Sequence, residues 1–385
     1  MKAELVDRVR ARLVERDEPL TAAAVATAVR EEAGGVVGDS DVLAALRRLQ
    51  TEFLGAGALE SSLRDETVTD VLVTGADAVW VDRGSGLERS DVVFSDDDAV
   101  RRLAQRLALS AGRRLDDAQP WVDAWLPRTG SSAVRMHAVL SPVAAQGTCL
   151  SLRVLRPAAH DLDALRRLGT FDEATADMLR RIVAARLAFL VSGGTGAGKT
   201  TMLAALLGEV PEDERITCVE EAGELHPAHP HVVRLVTRPP NVEGAGEVTT
   251  RDLVRQALRM RPDRIVVGEV RGAEVCDLLA ALNTGHEGGC GTVHANSPTE
   301  VPARMEALAA VGGLHRDALH SQLSAAVHLV LHMRRTSRRG RHLAAIGVLR
   351  RGGDRVEVAP AWCAIAGWEP GWERLAELLE QRGGA

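Results

Sequence analysis

The sequence predicts an α/β protein in which a small helical segment and an α+β domain precede a doubly wound α/β domain. Apolar residues recur at helical spacing up to about residue 50, and from Val68 they alternate as they do in strands. From Leu187 onward, strand-like runs alternate with helical segments, which is typical of a mostly parallel sheet with helices on its faces. A glycine-rich stretch follows the first of those strands.

The first two parts are expected at residues 1–52 and 53–157. In the first, Leu5, Val9 and Leu13 illustrate the helical spacing, which is interrupted at 17–19 and 34–38. In the second, the alternating segments VTDVLVTG, AVWVDRG, LERSDVVF, WVDAWLP, AVRMHAVL and TCLSLRVLR predict strands, and a helix is expected from Asp97 to Ala111.

A hinge or linker is expected at 158–168, where a proline-centred break precedes a helix predicted from Asp161 to Ala185. The third part, 169–385, is an α/β domain that ends in further strands and a helix. Its main strands are predicted at Leu187–Val191, Ile216–Glu220, Val232–Thr237, Ile265–Val270 and Gly291–His294. The basic run RRTSRRGR, from Arg334 to Arg341, joins two strand-like segments and is interpreted as a solvated turn, with contact to anionic lipid or an acidic partner as the alternative.

Composition narrows the possible functions. The 385 residues carry a net charge of −6 and contain no tyrosine, which makes nucleic acid an unlikely partner. The five cysteines form no C-x-x-C pair, which argues against a zinc cluster or a disulfide framework. No apolar run is long enough to span a bilayer and the charged start does not resemble a signal peptide, so a cytoplasmic location is expected.

The glycine-rich stretch fits the G-x-x-x-x-G-K-T pattern of loops that cradle phosphates. Glycines allow successive backbone N–H groups to curl around an anion, and the helix that follows directs its own free N–H groups and dipole to the same place. The chain has only two lysines, and one of them lies in this stretch, where a compact ammonium suits phosphate. The candidate nucleotide ligands are Gly193, Gly194, Thr195, Gly196, Ala197, Gly198, Lys199, Thr200 and Thr201, with the Thr200 hydroxyl as a Mg²⁺ ligand.

Acidic residues follow two other predicted strands. RIVVGEVRG brings Glu269 to the end of a strand, where a carboxylate can hold Mg²⁺ or polarise an attacking water. TCVEEAGEL brings Glu220, Glu221 and Glu224 to the end of another, and clustered carboxylates favour a neighbouring cation. The structural alternatives are a carboxylate that pairs at a strand end and an acidic, solvated turn.

Two histidines flank a glycine turn in NTGHEGGCGTVHANS. His286 precedes the turn, and a strand after it carries His294 to a loop. Either imidazole can donate a hydrogen bond to a γ-phosphate, although a single histidine in a fold is more often structural. Together with the phosphate loop, the pair favours a role in phosphate chemistry.

Four segments resemble, in this order, the Walker A, Asp box, Walker B and His box motifs of the type II/type IV secretion ATPase superfamily: GGTGAGKTT, VEEAGEL, RMRPDRIVVGEVRGAE and LNTGHEGGCGTVHANSP. GAGALESSL, VTDVLVTG, VWVDRGSGLE and AGRRLD are most similar to its tight-adherence (Tad, Flp-type) pilus ATPase branch, in the form associated with conjugal transfer in actinobacteria. The resemblance covers about Phe53 to Leu349. It implies a PAS-like, sensor-like N-terminal domain, a RecA-like C-terminal domain and Mg²⁺-dependent ATP hydrolysis that drives pilus-subunit assembly or protein export.

The resemblance also implies roles for individual residues. Lys199 and Thr200 would bind phosphate and magnesium, and Glu269 would be the Walker B acid. The Asp-box acids beside the attacking water would be Glu220 and Glu224, and the His-box pair would be His286 and His294. Basic side chains offered to nucleotide would be Arg135 and Arg153, with Arg234, Arg238 and Arg259 at other arginine positions of the family. The sequence departs from the family pattern at Glu221, Val236 and Trp125, where Asp, Glu and Arg are usual.

The partners implied by the resemblance are five further copies of the chain in a homohexameric ring and the platform proteins of the inner membrane, at its cytoplasmic face. Two other functions stay open. One is a nucleic-acid motor of related fold that serves conjugal DNA transfer. The other is a nucleotide-gated assembly factor that binds ATP and turns it over little.

Overall fold

The computed structural model describes Val9 and residues 27–29, 31–32, 55–84, 86–126, 133–155, 160–241 and 243–383. The chain divides into two units, 1–156 and 157–385, and each contains its own sheet. Both units combine helices with strands, which confirms the predicted α/β class. The helical segment predicted at 1–52 lies almost wholly outside the described residues. Across the part of the chain that is described, no helix is both long and apolar enough to cross a bilayer.

Between residues 55 and 155, as far as they are described, the first unit contains two α-helices, α1 (Glu60–Arg64) and α2 (Asp97–Ser110), and six strands: β1 (Asp70–Thr74), β2 (Ala78–Asp82), β3 (Leu87–Arg89), β4 (Trp121–Leu126), β5 (Ala133–Val139) and β6 (Cys149–Leu155). The strands form one antiparallel sheet in the order β3-β2-β1-β6-β5-β4. Alternate side chains such as Val71 and Val73 enter a core that the apolar stripe of α2 completes. All six predicted strands are present, although the third is only three residues long.

The second unit contains nine strands and eight helices within its described residues. Its strands are β7 (Phe189–Gly193), β8 (Ile216–Glu220), β9 (Val232–Val236), β10 (Arg264–Val270), β11 (Cys290–Val293), β12 (Leu329–Thr336), β13 (Gly340–Gly352), β14 (Arg355–Cys363) and β15 (Gly367–Trp368). Its helices are α3 (Leu162–Arg167), α4 (Glu173–Ala184), α5 (Lys199–Leu207), α6 (Thr250–Ala257), α7 (Glu274–Leu282), α8 (Val301–Val311), α9 (Arg316–Ala326) and α10 (Trp372–Arg382).

These strands form one sheet in the order β15-β14-β13-β12-β7-β11-β10-β8-β9. The six strands from β12 to β9 are parallel, and β13 to β15 extend the sheet in antiparallel fashion. The central strands β7, β8 and β11 are buried along their whole length, because helices cover both faces. One core joins the sheet to α3, α4, α5 and α10, and the other joins it to α6, α7, α8 and α9.

The helix predicted from Asp161 to Ala185 is two helices, α3 and α4. Gly169 follows α3 in a left-handed conformation, with φ 76°, that ends the helix. Asp161 caps the first helix by accepting from the Ala164 N–H, and Asp172 caps the second by accepting from the Thr175 N–H. The two capping aspartates and the glycine explain why one continuous helix does not form here.

The parallel strands end at one edge of the sheet. Gly193 ends β7, Glu220 ends β8, Glu269 is the penultimate residue of β10, and His294 directly follows β11. Since β8, β10, β11 and β7 are consecutive neighbours in the sheet, the predicted acids, one histidine and the glycine loop meet there. This edge is the candidate site.

Candidate functional site

The glycine loop connects β7 to α5, and two of its glycines are required by its shape. Gly193 has φ 149°, and a Cβ atom there would lie 2.4 Å from the backbone oxygen of Met333. Gly198 is the N-cap residue of α5 and has φ 93°, in the left-handed region. The loop therefore leads directly into a helix N-terminus, where backbone N–H groups without helical partners and the helix dipole favour an anion.

Lys199 is the first residue of α5, and its side chain is held inside the loop. The residue is only 8% exposed, and its Nζ donates to the Gly194 carbonyl oxygen at 3.1 Å. Burial lowers the pKa of Lys199, and the negative charges of Glu269 and Glu224 oppose that shift. An ammonium that has lost most of its water gains strongly from an anion, which is the condition for phosphate binding at this point.

Glu220 has a buried carboxyl group, and only one of its two oxygens has hydrogen-bond partners. Its Oε1 accepts from the Glu224 N–H at 3.0 Å and from the Leu225 N–H at 2.9 Å, whereas its Oε2 is buried without a hydrogen-bond partner. The pKa of Glu220 is raised to about 7, mainly because the carboxyl group is buried. The side chain fits beside Gly268 of β10 only because that residue lacks a Cβ, which would lie 2.8 Å from the Glu220 Cγ. The packing against Gly268 fixes the position of Glu220, and a carboxyl group with this pKa can exchange a proton near neutral pH.

Glu269 forms an ion pair with Arg271 in the structure. Arg271 Nη2 donates to Glu269 Oε2 at 2.5 Å, and Arg271 Nη1 donates to Glu221 Oε2 at 2.9 Å. One guanidinium thus links the acid of β10 to an acid that follows β8. Sequence reasoning did not assign Arg271 a role, although it lies within the GEVRG segment that contains Glu269.

His294 lies between the lysine of the loop and the acid of β10. Both of its ring nitrogens lie 3.4 Å from Lys199 Nζ, and its Nε2 contacts the Glu269 carboxylate. Burial and then the charge of Lys199 lower the pKa of His294, while Glu269 acts in the opposite direction. The shift favours the neutral ring, which has one N–H donor and one acceptor.

His286 does not join this site within the chain. It precedes β11, whereas His294 follows the same strand, so the two histidines lie at opposite ends of β11. A ring nitrogen of His286, Nδ1, is bonded to the Ala281 carbonyl oxygen at 3.1 Å. Because β11 separates them, His286 and His294 do not lie together within one chain, and a role for His286 at a phosphate stays a prediction.

Thr200 and Thr201 follow Lys199 in the first turn of α5 and are half-buried. Among the described residues, no group of three or more His, Cys, Asp or Glu side chains is arranged to enclose a metal ion. Mg²⁺ usually keeps several waters and binds one or two carboxylates together with substrate phosphates. The Thr200 hydroxyl and the Glu269 carboxylate, at one edge of the sheet, fit a metal held in that way. Glu220 Oε2, which is buried without a hydrogen-bond partner, can accept a further hydrogen bond at this edge.

The arginines expected to contact nucleotide have partners of their own. In the first unit, Arg135 Nε donates to Asp123 Oδ1 at 3.0 Å, and Arg153 Nε donates to Asp70 Oδ1 at 2.9 Å. Contacts of Arg135 and Arg153 with nucleotide stay predictions. The three residues at other arginine positions of the family lie on β9, just after β9 and in the short 3-10 helix that follows α6: Arg234, Arg238 and Arg259.

The basic turn between β12 and β13 is not merely solvated. Arg341 Nε donates to the Gly196 carbonyl oxygen at 2.9 Å, so the turn contacts the glycine loop. The guanidinium of Arg335 lies 3.7 Å from the position that a Cβ atom of Gly196 would occupy. Sequence reasoning missed this contact, because 145 residues separate its two partners.

The chain has relatives among known proteins. A family model described as type II/IV secretion system protein matches residues 52–355. A putative conjugal transfer protein of Mycobacterium tuberculosis is 65% identical over 352 residues, which cover 91% of this chain and 100% of that protein. A probable conjugal transfer protein TrbB of Sinorhizobium fredii is 32% identical over 320 residues, which cover 81% and 92% of the two chains.

Solved structures share the fold. The pilus retraction motor PilT with bound ADP matches with a TM-score of 0.54 and 20% identity, over 76% of this chain and 82% of that one. The ATPase DotB of Legionella pneumophila matches with a TM-score of 0.52 and 19% identity, over 75% and 77% of the two chains. These matches support the RecA-like architecture of the second unit and the presence of an N-terminal domain.

Proposed function

The chain belongs to the type II/IV secretion system protein family, and we propose that it is the ATPase that powers such a machine. One observation carries the proposal. The buried ammonium of Lys199, inside a glycine loop, lies at the same sheet edge as Glu220 and Glu269 from neighbouring strands. A triphosphate bound in that loop would meet a cation, a helix N-terminus and two acids at once.

Each residue of the site has a proposed role in hydrolysis that its surroundings favour. Lys199 and the N–H groups of the loop would bind the phosphates and stabilise the charge that spreads over the γ-phosphate oxygens during attack. Glu220 would accept the proton of the attacking water, because its Oε2 is buried without a partner and its pKa of about 7 suits a base near neutral pH. His294 contacts Lys199 and Glu269 in this structure, and once Glu269 leaves it, the ring N–H would donate to the γ-phosphate.

The residues fit a magnesium ion bound together with ATP. The Thr200 hydroxyl and Glu269 would hold it, and it would neutralise part of the charge on the β- and γ-phosphates. Glu269 must first leave Arg271 and His294, which it contacts in this structure. Arg271 keeps Glu221 as a second carboxylate partner when that exchange takes place.

The test is magnesium-dependent phosphate release by the purified chain and two variants, Lys199→Ala and Glu269→Ala. We expect both variants to lose turnover, by at least about 100-fold. Glu287→Ala is a matched control, since it removes an exposed carboxylate before β11, at the opposite edge of the sheet. Wild-type turnover in both site variants would remove the proposed centre. Binding of ATP without turnover by the unaltered chain would instead indicate a nucleotide-gated assembly factor.

We further propose that the motor assembles a Tad or Flp-type pilus, or exports protein, as a homohexamer at the cytoplasmic face of the inner membrane. Four segments similar to the tight-adherence pilus ATPase branch support a pilus motor: GAGALESSL, VTDVLVTG, VWVDRGSGLE and AGRRLD. Its partners would be the platform proteins of that membrane, through which it would contact the membrane peripherally. Light scattering with and without nucleotide tests the ring, and capture of detergent-solubilised membrane proteins tests the partners.

A motor for conjugal DNA transfer is the second candidate, because the 65% identical relative is named as a putative conjugal transfer protein. The two candidates differ in their response to nucleic acid. Binding to DNA phosphates releases counterions, so a DNA motor should show DNA-stimulated turnover that falls steeply with salt. The net charge of −6 leads us to expect no such stimulation. Stimulation by DNA would favour the conjugal motor over the pilus motor.

A further inference from the structure

We propose that Arg341 is a positioning residue that holds the glycine loop in its phosphate-binding shape. This inference rests on the proposed function. Its basis is the hydrogen bond from Arg341 Nε to the Gly196 carbonyl oxygen, at 2.9 Å, which joins the β12–β13 hairpin to the middle of the loop. The Arg341 side chain also packs on the end of the loop, since a Cβ atom on Gly198 would lie 3.3 Å from the Arg341 Cδ.

Strand pairing brings the hairpin to the loop. β12 lies directly beside β7, with Met333 opposite Gly193, so β12 continues past the end of β7 and runs alongside the loop. Arg335 and Arg341 are opposite each other in the β12–β13 register and therefore share a face of the hairpin. Both guanidinium groups approach Gly196 or Gly198. The hairpin thus presents two cations to the loop.

The bond at Gly196 fixes the direction of a loop N–H group. A trans peptide unit is planar, so the Gly196 carbonyl and the Ala197 N–H point in opposite directions. While Arg341 holds the carbonyl on the hairpin side, the Ala197 N–H is directed to the Gly194 oxygen, at 3.4 Å, which also accepts from Lys199 Nζ. Arg341 therefore keeps this N–H on the side of the loop where the lysine lies.

Such a contact lowers the cost of binding. A loop rich in glycine loses much conformational freedom when it closes around a phosphate, and a loop already ordered by Arg341 has less to lose. The same loop shape serves the bound nucleotide before and during hydrolysis, so the contribution is to binding rather than to the chemical step. Loss of Arg341 should then raise KM and leave kcat nearly unchanged.

The experiment measures binding of the fluorescent probe mant-ADP, and ATP turnover, for four proteins: the unaltered chain, Arg341→Gln, Arg341→Lys and Arg338→Gln. We expect Arg341→Gln to weaken mant-ADP binding about five- to tenfold, the effect of one ordinary exposed hydrogen bond, and to raise KM to the same extent. Its kcat should stay within about twofold of the original. Arg338→Gln removes an equal charge from the same exposed turn and should bind as the unaltered chain does.

Arg341→Lys keeps the positive charge but has no Nε–H group, and we expect it to bind as weakly as Arg341→Gln. Full recovery by lysine would show that the Nε–H bond is not required, and equal effects of Arg341→Gln and Arg338→Gln would show that charge alone acts; either result would overturn the positioning role. Lys199→Ala, measured in parallel, distinguishes a failure of the proposed function from a failure of the proposed role of Arg341. Wild-type binding by Lys199→Ala would defeat the proposed function. Lost binding in Lys199→Ala together with wild-type binding in Arg341→Gln would overturn only the role of Arg341.

Discussion

Replacing Glu220 by glutamine should stabilise the second unit at pH 8 and stop ATP turnover. Glu220 is 3% exposed, and its pKa is raised from 4.5 to about 7. Each pKa unit corresponds to about 1.4 kcal/mol, so ionised Glu220 costs the folded state about 3 kcal/mol at pH 8. Glutamine keeps an oxygen for the Glu224 and Leu225 N–H groups and carries no charge, so it avoids that cost.

The pH dependence has a definite sign. Below pH 4.5 Glu220 is protonated in both the folded and the unfolded chain, and its contribution to stability is fully present. Between pH 4.5 and about 7 the unfolded chain ionises first, so the wild type loses stability relative to Glu220→Gln as pH rises. Above about pH 7 the difference is constant, because both states of the wild type are ionised.

Differential scanning calorimetry between pH 4.5 and pH 8 measures this difference. The transition that added ADP shifts upward identifies the second unit. A difference of about 3 kcal/mol should raise the melting temperature of Glu220→Gln by about 6–12 °C at pH 8, and by much less at pH 4.5. Glu221→Gln, which alters an exposed neighbour, is the matched control. An equal melting difference at both ends of the range, or a variant less stable than the wild type at pH 8, would refute the reasoning.

Three further predictions concern positions around the site. Gly193→Ala should abolish mant-ADP binding and cost about 2 kcal/mol or more, because its Cβ would lie 2.4 Å from a β12 carbonyl oxygen; normal binding would contradict the loop geometry. Gly268→Ala should displace the Glu220 side chain and lower kcat about 100-fold with little change in nucleotide affinity, and an unchanged kcat would count against Glu220 as the base. Glu214→Gln should lower unfolding stability in urea by about 3 kcal/mol, because the buried Arg264 loses its carboxylate partner; it should leave kcat unchanged, since this pair lies at the opposite edge of the sheet.

Local features made much of the site predictable. The glycine loop, Lys199 and the start of α5 form one continuous segment. Its sequence pattern by itself predicts a phosphate-binding loop followed by a helix. Glu220 and Glu269 were also predictable, because each lies at the carboxyl end of a buried strand, and parallel strands end at one edge of a sheet. The same rule places His294 correctly, directly after β11.

The rest depends on contacts between distant segments. Arg271 lies two residues beyond Glu269, but its bond to Glu221 arises only because β8 and β10 are neighbours. The Arg341 contact requires β12 to pair with β7 and to continue past it, which no local pattern shows. His286 is close to His294 in sequence but lies at the other end of the strand between them, and only the fold shows this separation.

A crystal structure of the chain with Mg²⁺ and a non-hydrolysable ATP analogue tests the central claim most directly. We predict the β- and γ-phosphates inside the loop from Gly193 to Thr201, within hydrogen-bond distance of Lys199 Nζ. We also predict a water between the γ-phosphate and Glu220 Oε2, and Glu269 released from Arg271. A nucleotide bound elsewhere, with the glycine loop empty and Lys199 still bonded to the Gly194 oxygen, would contradict the account.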